Sequence, residues 1–371
     1  MEGPDRTEGI DLAAIEPWLR ARLPAARPPF RLERLAGGRS NLTFGLADAA
    51  AGAWVLRRPP LGPRQATAHD VLREGRIMAA LTETAVPVPA VLGAADRLCP
   101  DGAPLLLMER APGVAVRGAG TASDAAVPRA AAPETVAAAP HHLAAAAESS
   151  LGAAARARAG LALAETLAAL HAVEPAAVGL ADLARGEGYV ERQLARWNRQ
   201  WEEGRTRDLD DLAATHALLA ARVPRQSRTA IVHGDFRLDN CLLDPAGEVT
   251  AVLDWEICTL GDPLADLGLL LVYWGEPGDA VTALEDPPTL ASGFATRASI
   301  RRRYETAAEI DAGTLDFYEA FAWWKLACIV EGVYARVSRG ALGTVDRPAE
   351  SFAAQAERLA AEARRSAEEL A

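Results

Sequence analysis

The apolar pattern changes period once along the chain, and that change limits the possible folds more than any other feature. Before residue 110, short apolar runs alternate with turn residues. "FRLERLAGGRSNLTFGLAD" reads as strand, glycine-containing turn and strand, and "AWVLRRP" as a third strand ended by Pro59 and Pro60. Residues 68–82, "AHDVLREGRIMAALT", carry Val71, Leu72, Met78 and Leu81, which predicts a helix. "VPVPAVLGAAD" and "PLLLMER" add two strands, and "APG" at 111–113 breaks the chain. A short helix over 11–22 precedes them, with an apolar face in "PWLRARL" and a stop in "PAARPP". From Leu151 the spacing is helical, through "ARARAGLALAETLAALHAV", "YVERQLARWNRQWEE" and "FYEAFAWWKLACIVEGVYARVSRG" to an Ala/Glu/Arg-rich terminal helix. Between the two regimes, residues 117–150 are rich in Ala, Pro, Gly and Ser. They cannot bury much surface, so a mobile insertion is expected there, with His141 and His142 exposed to solvent.

The expected fold is α+β with two lobes. A small N-terminal lobe, antiparallel sheet plus helix, occupies 1–110. A hinge exit and the insertion occupy 111–150, and a larger, mainly helical lobe occupies 151–371. With 371 residues, half of them hydrophobic, the chain has enough core for both.

Charge and cysteine usage exclude several functions. A net charge of -11 offers no basic face for nucleic acid. Arg supplies nearly all the positive charge, and Lys325 is the only lysine. Like the heavy use of Ala, this bias reads as genomic composition. Cys99, Cys241, Cys258 and Cys328 are scattered and form no C-x-x-C pair, which suits free thiols in a reducing cytoplasm. No apolar run reaches the ~18 residues of a membrane span. The N-terminus is acidic and lacks a signal pattern. The expectation is a soluble cytoplasmic protein, monomer or homodimer.

One block interrupts the helical half. Residues 229–262, "TAIVHGDFRLDNCLLDPAGEVTAVLDWEICTLGD", read as a polar loop followed by a hairpin, with strands "CLLD" and "TAVLDW" joined by "PAGE". Asp235 and Asn240 sit on the loop, and Asp254 ends the second strand, so the hairpin is expected to fold Asp254 back beside the loop. Asp and Asn oxygens are hard ligands that suit magnesium. Phosphoryl transfer needs such a set: a carboxylate to orient the attacking hydroxyl and magnesium to neutralise phosphate oxygens. Protein kinases place a metal-binding Asn five residues after the catalytic Asp, and a second Asp on the next hairpin. Asp235, Asn240 and Asp254 follow that order.

The N-terminal segment fits the same template. "GGRSN" at 37–41 lies where a loop should cover the phosphates, with Gly38 and Ser40 as candidates. The third strand offers Arg57 or Arg58 as the phosphate cation, and the next helix offers Glu74 as its partner. "LLLMERAPG" occupies the hinge position, where the backbone of Glu109 and Ala111 would meet adenine.

"HGDFRLDN", "VLDWE" and "GDPLADLG" resemble the aminoglycoside phosphotransferase and choline kinase superfamily, which has the protein-kinase-like fold. "GGRSNLTF", "VLRRPP", "AHDVLRE", "ERQLARW" and "KLACIVEGVYAR" are similar to the subgroup associated with acyl-CoA dehydrogenases. The likeness covers roughly residues 30–340 outside the insertion. It implies an ATP- and magnesium-dependent phosphotransferase, a small-molecule kinase. Asp235 would be the catalytic Asp and Asn240 and Asp254 the metal ligands. Asp266 would brace the loop that His233 and Gly234 shape. Arg57 stands where many members carry Lys, with Arg58 adjacent.

The acceptor hydroxyl remains open. Residues 1–110 carry 14 Arg and 13 Asp or Glu, so the acidic excess lies in the helical half, which suits a cationic acceptor. The subgroup points instead to hydroxyacyl-CoA-like metabolites, with Arg192, Arg196 and Arg336 available to an anion or to surface salt bridges. The Arg at position 57 also admits a catalytically weak nucleotide-binding protein. The absence of "DFG" and "APE" argues against a protein kinase. His171, on a helix, reads as a satisfied core histidine.

Overall fold

The computed structural model describes residues 6–35, 41–61, 70–117, 151–184, 187–340 and 347–370. Gly38, Ser40, His141, His142 and all of the expected insertion except Arg117 lie outside the described residues. The chain divides into two compact units, Met1–Gly113 with Thr250–Ile257, and Val114–Val249 with Cys258–Ala371.

In the first unit, β1 (Arg6–Thr7) pairs with β2 (Ile10–Asp11) and leads into α1 (Leu12–Arg22). The Asp11 carboxylate accepts the Ala14 N–H at 3.1 Å and so caps that helix. A five-stranded antiparallel sheet follows, built from β3 (Arg31–Arg34), β4 (Leu42–Ala47), β5 (Ala53–Arg58), β6 (Val91–Ala95) and β7 (Leu105–Glu109). The spatial order is β3-β4-β5-β7-β6, which puts β7 inside the sheet. Its sequence explains this. Leu105 to Met108 is an unbroken apolar run, fit for a strand covered on both faces. Leu105 and Leu107 pack with Ile15, Leu19, Phe44 and Leu56 on one side. Burial of each such side chain contributes about 1.5–3 kcal/mol.

Leu106 faces the other way, toward α2 (Val71–Leu81). The contact is so close that a Cβ on Gly75 would meet Leu106 Cδ1 at 2.6 Å. The helix starts at Val71, the first of its apolar residues, because Asp70 caps it. Its carboxylate accepts the N–H groups of Leu72 and Arg73 at 3.1 and 3.0 Å.

The second unit contains β8 (Val114–Ala115), α3 (Ala153–Ala172), α4 (Tyr189–Gly204), α5 (Asp210–Ala220), β9 (Ala230–Val232) and β10 (Cys241–Leu243). β11 (Val249–Val252) begins here, and its last three residues belong to the first unit. β12 (Thr259–Gly261) pairs antiparallel with β9, setting Leu260 opposite Ile231. Four helices complete the unit: α6 (Leu264–Tyr273), α7 (Arg297–Ala308), α8 (Leu315–Ser338) and α9 (Ala349–Glu368). α6 is buried from Leu264 to Val272, so it can lie only at the centre of the unit. Asp262, just before it, accepts the Leu264 N–H at 3.0 Å and the Tyr318 hydroxyl of α8 at 2.8 Å. Among the described residues, no helix is long and apolar enough to cross a membrane.

α6 and α8 approach closely because α6 carries Gly268. A Cβ there would lie 2.8 Å from the Tyr318 carbonyl carbon. Gly268→Ala is expected to destabilise the protein by about 1–3 kcal/mol, because rigid backbone must move. Gly204→Ala, with nothing within 4 Å of the added methyl, should leave stability unchanged or slightly raised. Urea unfolding midpoints test this, and equal losses at both positions would remove the packing explanation.

Candidate active site

The loop after β9 is built around one carboxylate. Ala230, Ile231 and Val232 are buried and anchor the strand. The chain then turns at Gly234, whose φ of 86° favours glycine. Asp266, in the first turn of α6, accepts the His233 N–H at 2.6 Å and the Gly234 N–H at 2.8 Å. Behind it lies His171 of α3, with Nε2 3.4 Å from Asp266 and Nδ1 2.7 Å from the Tyr304 hydroxyl of α7. These partners assign Nε2–H as donor to the carboxylate and Nδ1 as acceptor. Burial pulls the His171 pKa below its ordinary value despite Asp266. Burial alone would raise the Asp266 carboxyl; the hydrogen bonds from His171 and the Gly234 N–H outweigh it and hold the group below the usual carboxylate range.

This anchored turn presents Asp235. Leu238 to Asn240 form a single 3-10 turn, which brings Asn240 back to Asp235. Asn240 Nδ2 donates to the Asp235 carbonyl at 2.8 Å and to Asp235 Oδ2 at 3.0 Å. The five-residue spacing thus closes a small ring that fixes the carboxylate. Because both bonds use Nδ2, the amide oxygen Oδ1 points away and remains a hard donor. Arg237 pairs with Asp239 at 2.8 Å, lies 3.5 Å from Asp235 Oδ2, and stacks over the Tyr273 ring at 4.8 Å. The Asp235 side chain is 28% exposed, accessible to a substrate yet held.

The first unit contains a second cluster. The sheet pleat sends Arg57 and Arg58 to opposite faces. Arg58 is fully buried and structural. It donates to the Pro59 carbonyl at 3.0 Å and to the Gly9 carbonyl, and pairs with Asp101 at 2.5 Å. Arg57 is therefore the cation on the side of α2. It bridges Glu74 at 2.6 Å and Asp254 at 2.7 Å. Asp254 lies beyond β11 and does not end a strand: β11 stops at Val252, whose carbonyl takes the Trp255 indole N–H at 2.9 Å. Asp254 itself has a φ of 66°, a conformation rare for residues other than glycine.

Glu74 is almost fully buried, and burial pushes its carboxyl up to about 7, against the pull of Arg57. The neighbouring charges of Asp254 and Glu256 push the same way. Burial lowers the Arg57 pKa, but Glu74 and Asp254 more than offset it and raise the group. Both partners shift upward, Glu74 mainly by burial and Arg57 through the carboxylates near it. Glu256 also accepts from Asn41 Nδ2 at 3.1 Å, and its carbonyl accepts from Arg73 at 3.1 Å. In the segment that the sequence suggested as a hinge, the Glu109 N–H is committed to the Ala90 carbonyl at 2.8 Å. Ala111 lies in the loop after β7.

No group of three or more His, Cys, Asp or Glu side chains is arranged to hold a metal among the described residues. Magnesium bound through one or two protein oxygens plus substrate phosphates needs no such cage. Asn240 Oδ1, and the Asp254 oxygen that Arg57 leaves, are of that kind.

Sequence reasoning gave no role to Glu256, although it lies inside "LDWE", or to Lys325 of α8, whose ammonium donates to the Gly234 carbonyl at 3.0 Å. His171 is the satisfied core histidine expected, and its partner is the residue that braces the loop.

The fold is the protein-kinase-like α+β fold of phosphotransferases. The chain belongs to the phosphotransferase enzyme family, matched over residues 31–139 and 136–318. It is similar to acyl-CoA dehydrogenase family member 10 of Mus musculus, 32% identical over 90% of this chain and 29% of that protein. The chain therefore spans under a third of that relative. Among solved structures, a putative aminoglycoside phosphotransferase from Ralstonia eutropha is 27% identical, with a TM-score of 0.75 over 96% of this chain and 98% of that one. An aminoglycoside phosphotransferase APH(4)-Ia, in ternary complex with ADP and hygromycin B, shares the fold at 17% identity, with a TM-score of 0.59 over 95% and 98% of the chains.

The raised Glu74 carboxyl has a signed consequence. Its folded pKa of about 7 exceeds the unfolded value of 4.5. The folded state therefore binds its proton more tightly, and the associated stability is full below pH 4.5 and lost as pH rises to 7. In metal-free buffer, Glu74→Gln should flatten the fall in stability across that window. An unchanged slope, read from chemical unfolding at each pH, would assign the dependence to other groups.

Proposed function

We propose that the protein is a small-molecule kinase that moves the γ-phosphate of ATP to an acceptor hydroxyl with magnesium. The observation that carries this reading is the Asp235–Asn240 ring hung from Asp266. It holds one accessible carboxylate in a fixed orientation and turns one amide oxygen outward. Asp235 would orient the acceptor hydroxyl and take its proton. Asn240 and Asp254 would hold the metal, whose charge neutralises phosphate oxygens. His233 and Asp266 support the loop. Arg57, steadied by Glu74, would face the phosphates. Glu109 and Ala111 would contact adenine, and Gly38 and Ser40 would cover the phosphates.

The solved relative held with ADP and hygromycin B supports a nucleotide and an acceptor bound together. The acyl-CoA dehydrogenase name of the mouse relative favours a hydroxyacyl-CoA-like acceptor over an aminoglycoside. The four cysteines are free and buried, which supports a reducing, cytoplasmic setting. No nucleic acid, membrane or obligatory partner enters this reading, which allows a monomer or homodimer.

A second reading has one observation in its favour. Arg57 is committed to Asp254, a proposed metal ligand, and a guanidinium there competes with the metal. A nucleotide-binding protein with weak or no turnover would tolerate that.

Phosphate transfer from ATP to a panel of hydroxyacyl-CoAs, aminoglycosides, choline and sugars separates the two. Turnover of one acceptor is expected, and Asp235→Asn should reduce it about 100- to 10,000-fold without changing the melting temperature. Unchanged turnover in the variant would sink the assignment of Asp235. ATP binding with no turnover on any acceptor would favour the second reading. In the same assay, Asn240→Ala is expected to raise the magnesium concentration needed for half-maximal rate; an unchanged requirement would remove Asn240 from the metal.

A further inference from the structure

Lys325 is the only lysine in 371 residues, in a chain that otherwise uses Arg for positive charge. Its position is unusual for a lone cation. It projects from the middle of α8 and is 9% exposed. Its ammonium donates to the Gly234 carbonyl at 3.0 Å, on the peptide that leads into Asp235. The Trp197 ring of α4 lies 5.9 Å from Nζ. Burying an ammonium is costly unless charge and hydrogen bonds compensate it. The charges facing it are Asp235 from the loop, Asp266 from α6 and, opposing them, Arg196 from α4.

We propose that Lys325 is a positioning residue for phosphotransfer. It clamps the Gly234 carbonyl from inside the helical unit, while Asp266 holds the two preceding N–H groups, and together they fix the backbone from which Asp235 projects. This inference rests on the phosphotransferase reading and adds a residue to it. Burial lowers the Lys325 pKa and the carboxylates oppose that fall, in keeping with a charge matched to Asp235.

The same geometry explains why the position is not Arg. The slot holds one carbonyl acceptor at hydrogen-bond distance. A guanidinium would bury several of its five N–H donors without partners, whereas an ammonium is compact and can pivot.

The test uses the full chain. Lys325→Met and Lys325→Arg are compared with the original protein on the acceptor it phosphorylates, with kcat and KM measured for each. Lys325→Met is expected to lower kcat about 100-fold, as for loss of placement at a catalytic group, with KM for ATP unchanged. Lys325→Arg should not rescue kcat. Lys325→Met at the original kcat, or full activity in Lys325→Arg, would overturn the proposal.

The single lysine permits a readout that needs neither turnover nor a variant at 325. Lysine-selective isotope labelling gives one ammonium signal, which should titrate at lower pH in Asp235→Asn than in the original protein. No shift would overturn the coupling even if Lys325→Met fails to fold. If no acceptor is phosphorylated by the original protein, the phosphotransferase reading fails, while this titration still judges whether Lys325 answers to Asp235.

Discussion

The loop that carries Asp235 depends on a single buried carboxylate. Asp266 gathers the N–H groups of His233 and Gly234 at 2.6 and 2.8 Å, two donors that a tight turn cannot satisfy within itself. A charged acceptor makes these bonds stronger than neutral ones. Asp266 can remain charged at full burial only because His171 and the first turn of α6 also stabilise it. Tyr304, His171 and Asp266 come from three helices, so packing of the helical unit is converted directly into the orientation of a short loop. The helices can then vary toward solvent without disturbing that geometry.

Much of this was legible in the sequence because the relevant signals are local. The change of apolar period divided strands from helices. The Asp-to-Asn spacing marked the loop, and the run "PLLLMER" gave the central strand. What failed to show was long-range or conformational. Arg57 and Arg58 are adjacent and chemically identical; only the pleat, fixed by pairing with β4 and β7, decides which meets Glu74 and which meets Asp101. His171 and Asp266 are 95 residues apart, and Asn41 and Glu256 are 215 apart, so no local pattern joins them. Asp254 looked like the end of a strand because nothing in "VLDWE" announces a positive φ. Lys325 was visible as the lone lysine, but composition gave it no place.

The two clusters handle buried charge differently. Around Asp266, one carboxylate receives several donors and is stabilised as an anion. Around Arg57, two carboxylates bond one guanidinium, and burial keeps the Glu74 proton up to about pH 7. The first arrangement suits a structural anchor that must not change. The second contains a carboxyl whose charge can change near neutral pH.

The same pairing bears on the Arg at position 57. A lysine pairs with one carboxylate at a time, whereas a guanidinium engages two through its separate Nη atoms. Here Nη1 takes Glu74 and Nη2 takes Asp254. The substitution therefore does more than preserve a charge: it ties the helix carboxylate and the loop carboxylate together within one unit. Release of Nη2 from Asp254 would leave the guanidinium attached to Glu74 and turn its other edge toward an anion. In a phosphotransferase, a cation supplied by the metal at Asp254 would offset the loss of that bond. A phosphate would then become the better partner for the freed edge.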